Sequence, residues 1–170
     1  MRLNEIVAAA MAVVVMTGTI AYANGFKTHD LTTVEKVVLE QFSTADYHWV
    51  TPSGMSISCC RNDEDLILNV TLDRRAAKMG QEGRTDETYI AELEHSCSIV
   101  GCQMEKIEVG TAIGRLLKIP NLGGGYKGVN IFLVRDGDRL TIKSAAKTMD
   151  AARNNAKKAL EILKAPVIGE

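Results

Sequence analysis

The chain has 170 residues, 20 of them basic and 21 acidic, for a net charge of −1. That near-neutral balance removes the electrostatic case for a nucleic-acid partner. One Trp and three Phe give no extended aromatic platform for a ligand.

Met1–Glu5 carries Arg2, Ile6–Met16 is an unbroken apolar run, and Ala21-Tyr22-Ala23 closes the segment. A charged start, an apolar middle and an A-x-A exit are the parts of a secretory signal, so residues 1–23 read as a signal peptide cut after Ala23. The apolar middle is short against the ~20 residues that cross a bilayer. Glu5 in the start region leaves an uncleaved anchor as the alternative. Cleavage implies a periplasmic or secreted protein with no stable membrane insertion. The remaining residues suffice for one domain with a buried core.

Residues 24–31 lack periodicity and read as a flexible N-terminus, and residues 32–166 as a single α+β domain. Thr32-Thr33-Val34-Glu35 has capping-box spacing, and Val34, Val37, Val38 and Phe42 share a helical face, which predicts a helix over 33–43. Tyr47–Thr51 reads as a short strand. Met55, Ile57 and Cys59 alternate with polar residues, as do Leu66, Leu68, Val70 and Leu72, with a polar break between. Two such runs make a hairpin, and an apolar face is kept by pairing Met55 with Leu72, Ile57 with Val70 and Cys59 with Leu68. Cys59 then faces the core and Cys60 the other side.

Asp73–Arg84 is charged and reads as an irregular connection. Thr85 can cap a second helix whose Ile90, Leu93 and Cys97 share a face and which stops at Gly101. Ile107–Ile119 alternates throughout and reads as one long strand. Val129–Val134 is a continuous apolar strand, Asp136-Gly137 a tight turn, and Leu140–Ala146 the return strand. Thr148 caps the last helix, striped by Met149, Ala152, Ala156, Leu160 and Leu163 and ended by Pro166.

The order is α-β-β-α-β-β-β-α, an α+β fold with a mostly antiparallel sheet of about five strands covered by helices. In Ile107–Ile119, Val129–Val134, Leu140–Ala146 and Met149–Lys164 this order resembles the Mog1/PsbP-like domains. The resemblance is one of elements, so it carries over no functional residue. It implies a small accessory or assembly factor, often non-enzymatic, that acts by protein contact.

Cys59, Cys60, Cys97 and Cys102 are an even set in an exported chain, which favours disulfides. Strand parity and a core-covering second helix favour Cys59–Cys97 with Cys60–Cys102, a local Cys97–Cys102 clasp is the next choice, and a Cys59–Cys60 bond is disfavoured because neighbouring strand side chains point to opposite faces. The alternative use is a soft-metal site from His95, Cys97 and Cys102 with Cys59 and Cys60, although Cys97 and Cys102 give a single C-x₄-C spacing and the adjacent Cys59 and Cys60 supply no second one.

Gly123, Gly124 and Gly125 lack the Gly-Lys-Ser/Thr ending of a phosphate loop, and with Tyr126 and Lys127 they form a candidate contact loop. Asp63–Asp65 lacks the spacing of a calcium loop. Residues 135–164 carry eight basic and four acidic side chains, a surplus suited to a solvated helix face or an acidic partner. No catalytic motif emerges and no cofactor is implied. The functional expectation is a disulfide-stapled binding or accessory module of the cell envelope, acting on another envelope protein or a small ligand. A soft-metal or thiol protein, and an enzyme of unrecognised type, are the alternatives.

Overall fold

The computed structural model describes residues 25–59, 66–74 and 83–170. The export segment, Cys60, the Asp63–Asp65 break and most of the charged connection after Arg74 lie outside the described residues.

A 3-10 turn at Leu31–Val34 leads into helix α1, Glu35–Gln41. Strands β1 (Tyr47–Thr51), β2 (Gly54–Cys59) and β3 (Leu66–Arg74) follow, then helix α2, Asp86–Ile99. Strands β4 (Met104–Val109), β5 (Ala112–Ile119), β6 (Lys127–Arg135) and β7 (Asp138–Ala146) come next, then helix α3, Met149–Leu163, and a π-helical turn, Lys164–Ile168. The seven strands form one antiparallel sheet in the order β1-β2-β3-β7-β6-β5-β4. Two meanders, β1–β3 and β4–β7, therefore join where the last strand docks beside β3.

The α+β class and antiparallel sheet follow the sequence pattern, but seven strands replace about five. The stretch 107–119 is not one strand. Gly110, with φ +49°, turns the chain back, so that Val109 pairs with Ala112. Apolar parity switches there from odd positions in β4 to even positions in β5, whose Ala112 and Leu116 are buried. Gly114 faces the same way and admits no side chain, since a Cβ there would lie 2.6 Å from the carbonyl oxygen of Ile107. The β2–β3 pairing keeps its parity but slips by two residues: Met55 pairs with Val70, Ile57 with Leu68 and Cys59 with Leu66.

One face of the sheet carries the main core. Ile57, Leu68, Ile131, Leu133 and Ile142 are fully buried there beneath Ala152, Ala156 and Leu163 of α3, Val34 of the 3-10 turn and Val38 of α1. Thr148 caps α3 by accepting the Ala151 N–H at 3.1 Å. Pro166 does not end the helical path but sits inside the π-helical turn, whose Val167 and Ile168 are buried. The cap of the first helical segment is Asp30 rather than Thr32. Its carboxylate accepts the Thr32 hydroxyl and N–H, and these bonds hold its pKa below the ordinary aspartate value.

The stretch expected to be a flexible N-terminus is anchored instead. Phe26 and Leu31 are buried, Thr28 N–H reaches the Val167 carbonyl at 3.3 Å, and Arg135 donates to the Gly25 carbonyl at 2.6 Å. A lone buried aromatic and paired backbone groups leave no periodicity to read.

Helix α2 lies on the opposite face, over β5. Arg115 meets Glu94 at 2.5 Å, and Arg139 donates to the Tyr89 hydroxyl at 3.0 Å and to Asp73. Burial works against the charge of Arg139, but its bonds to Asp73 and Tyr89 outweigh that and raise its pKa. At the β4 rim of the inner face, Glu105 takes hydrogen bonds from Lys118 and Arg153. The Lys118 bond holds Glu105 below the ordinary glutamate pKa, against partial burial and with the charges of Lys118 and Arg153 assisting. A group with a depressed folded-state pKa stabilises above the unfolded value and loses that contribution as pH falls through the folded one. The Glu105 carboxyl carbon, followed by NMR, should therefore titrate below the usual glutamate midpoint, and Lys118→Met should move the midpoint back up.

Candidate functional site

The side of the sheet covered by α2 decides the cysteine chemistry. Cys59 points to the inner face, as its parity requires, whereas Cys97 is buried under α2 on the outer face. The sheet separates them, so the Cys59–Cys97 and Cys60–Cys102 pairing expected from parity is overturned. Cys97 bonds to Cys102 instead, with Cα atoms 5.1 Å apart. Gly101, with φ +70°, reverses the chain just past α2 and brings the Cys102 N–H to the Cys97 carbonyl at 3.0 Å. Cys59 is also disulfide-bonded, and Cys60 lies outside the described residues.

This clasp closes a small loop, for which chain-entropy loss in the unfolded state predicts about 2 kcal/mol of stabilisation. A Cys97→Ser/Cys102→Ser variant should lose about that much in chemical denaturation. The connectivity has a direct check by mass. Trypsin cuts after Arg84 and Lys106, so the clasp leaves peptide 85–106 free with an internal disulfide, whereas the cross-sheet scheme would link it to peptide 37–61.

The soft-metal set is not brought together. His95 is exposed on α2, Cys97 and Cys102 are spent on each other, and Cys59 lies across the sheet. Among the described residues, no group of three or more His, Cys, Asp or Glu side chains is placed to hold a metal ion.

The Gly123–Lys127 loop is a closed hairpin connection. Gly123, Gly124 and Gly125 all have positive φ, and Tyr126 N–H donates to the Gly123 carbonyl at 3.0 Å. The Lys147 ammonium lies 3.9 Å from the centre of the Tyr126 ring, which ties the loop to a cleft at the same end of the sheet.

That cleft, about 470 Å³, opens between the end of α1 and the start of α3. Its apolar floor is Phe42, Leu66 and Ala146, all buried. Ala151, Asn154, Asn155 and Lys158 line it from α3, where three- and four-residue spacing puts Ala151, Asn154 and Lys158 on one face. Lys158 bridges the two helices, donating to the Gln41 carbonyl at 2.5 Å with its ammonium 4.9 Å from the centre of the Phe42 ring. That carbonyl ends α1, where a cation is favoured by the helix dipole. Cys59 forms part of the wall, and the Thr44 hydroxyl lies 3.6 Å from its sulfur.

A second cavity, about 430 Å³, borders the N-terminal strap and is lined by Lys27, His29, Arg74 and Arg135. Its charges are largely spent on structure. Arg74 and His29 converge on the buried Asp138, and Arg135 binds Glu170 and the carbonyls of Gly25 and Ile168. It reads as a latch on the strap. The first cleft instead joins an apolar floor to convergent amides, the composition of a small-molecule seat.

Sequence reasoning placed Cys59 and the glycine loop near function, but it did not single out Asn154 or Asn155, and it read Lys158 as part of a solvated helix face. No family model matches the chain, and no curated protein does. No helix among the described residues is long and apolar enough to cross a membrane.

Proposed function

We propose that the chain is an exported binding or accessory module of the cell envelope, and that it takes a small polar ligand in the cleft between α1 and α3. The observation that carries this reading is the cleft itself, with amides and an ammonium from α3 facing an apolar floor. Its volume falls within the ~300–1,000 Å³ typical of small-molecule sites. Asn154 and Asn155 each offer a donor and an acceptor, so the fitting ligand is neutral or weakly anionic and rich in hydroxyl or amide groups. Lys158 adds one cation at the rim. The signal pattern at residues 1–23 supports export to a periplasmic or extracellular compartment, and the Cys97–Cys102 bond suits an oxidising one. Element order resembling the Mog1/PsbP-like domains supports an accessory role over a catalytic one.

A thermal-shift screen of hydroxylated and amide-bearing metabolites tests the reading. Ligands should raise the melting temperature of the wild type, and Asn154→Ala/Asn155→Ala should abolish the shift without changing the unliganded midpoint by much. Hits that shift both proteins equally would place binding elsewhere and end the reading.

A further inference from the structure

The two edges of the sheet are built differently. Strand β4, at one edge, carries Glu105, Lys106 and Glu108, the charged side chains with which edge strands resist pairing. Strand β1, at the other, reads Tyr47-His48-Trp49-Val50-Thr51 and contains no Lys, Arg, Asp, Glu or Pro. Its ladder to β2 runs without a bulge from Tyr47↔Ser58 to Thr51↔Gly54. Among the described residues, no backbone group of β1 pairs with any strand other than β2.

The side chains over this edge are also unusual. Tyr47 and Trp49 are 58% and 51% exposed on the face away from the main core, and Ile67 of β3 lies in register with Tyr47 through Ser58. The Trp49 ring lies over Gly54, where a Cβ would approach it to 3.3 Å. Glycine at position 54 therefore seats the ring against the sheet and leaves it half open to solvent.

We infer that β1 pairs antiparallel with β1 of a second copy of this chain, extending the sheet across a two-fold axis. The residue types select that occupant. A two-fold centred on Trp49 sets Trp49 beside Trp49, His48 opposite Val50 and Tyr47 opposite Thr51. No like charges oppose one another, and every pair keeps both members on one face of the continuous sheet. The same operation centred on Lys106 of β4 would oppose two lysines. Aromatic cross-strand pairs are among the favourable ones. A five-residue edge buries less than the ~1,200 Å² of a standard interface, so the dimer is a weak, concentration-dependent one.

The chain has a single tryptophan, so its fluorescence reports on this edge alone. Sedimentation of the signal-free protein from about 1 µM to about 1 mM, the range of weak affinities, should show a rise from one chain mass to two. Trp49 emission should shift to the blue over the same range. Trp49→Lys should raise the dissociation constant at least roughly tenfold, the factor set by 1.4 kcal/mol, while Lys106→Ala leaves it unchanged. Circular dichroism checks that each variant folds, and Tyr47→Lys is a second disruptive variant at the same edge. A single chain mass throughout the range overturns the proposal. So does a dimer indifferent to both Trp49→Lys and Tyr47→Lys, or an emission shift that comes only with an added extended peptide while the mass stays at one chain.

Discussion

Asp138→Ala is expected to cost about 3 kcal/mol of stability and to loosen the N-terminal strap. Asp138 is 2% exposed at the head of β7, yet it is a carboxylate, and such a group persists in an interior only when it is paired. Three groups hold it: the Phe26 N–H donates at 2.7 Å, Arg74 Nε donates at 3.3 Å, and His29 Nε2 lies 2.6 Å away. Hydrogen bonds to charged groups are each worth ~1.5–3 kcal/mol net. The expected loss is well below three times that, because Arg74 and His29 are 57% and 39% exposed and regain water when released. The Phe26 N–H is buried and has no such recourse. Gly25 belongs to the same latch: a Cβ there would lie 2.0 Å from the Asp138 carboxylate. Guanidinium denaturation measures the loss, and hydrogen exchange at the Phe26 amide measures the loosening. Asp138→Asn keeps an acceptor for that amide and should lose less. A variant as stable as wild type, with Phe26 still protected, would show that Phe26 burial and Arg135 hold the strap without the carboxylate.

The latch joins residues more than 100 positions apart, and that distance marks where reading from sequence stopped. Local chemistry was legible. Asp136 and Gly137 both adopt positive φ, as a tight Asp-Gly hairpin requires, and Thr85 and Thr148 cap their helices as their positions suggest. Parity was legible wherever one face is buried and the other is not, which is why Cys59 points inward as expected. It failed at Gly110 because β5 lies between two layers. Ala112 and Leu116 face the main core while Ile113 and Leu117 lie on the α2 side, so alternation runs through the turn and hides it. Helix α2 was legible as a helix but not by side. Ile90, Leu93 and Cys97 declare an apolar stripe and do not say which face of a sheet it will cover. The disulfide pairing depended on that side. The cleft was illegible for a related reason. Asn154, Asn155 and Lys158 look like the wet side of α3, and they become a wall only because α1 packs beside them.

The same two-layer asymmetry predicts the largest stability difference between like residues. Ile131→Ala is expected to cost about 4 kcal/mol, and Ile67→Ala less than about 1 kcal/mol. Ile131 is fully buried in β6, flanked in register by Leu116 and Ile142 and covered by α3. Truncating it removes transfer free energy and leaves a cavity that central strands, paired on both sides, cannot collapse to fill. Ile67 belongs to the same sheet and is 37% exposed on the outer face near β1, so truncation there leaves a dent that water fills. Guanidinium unfolding of both variants gives the comparison, with an unchanged denaturant slope as the sign that both states keep their compactness. Equal losses would mean that the outer face near β1 is covered in solution. If the loss at Ile67 grew with protein concentration, that cover would be a second copy of the chain, because a contact between copies stabilises by mass action whereas one within the chain does not.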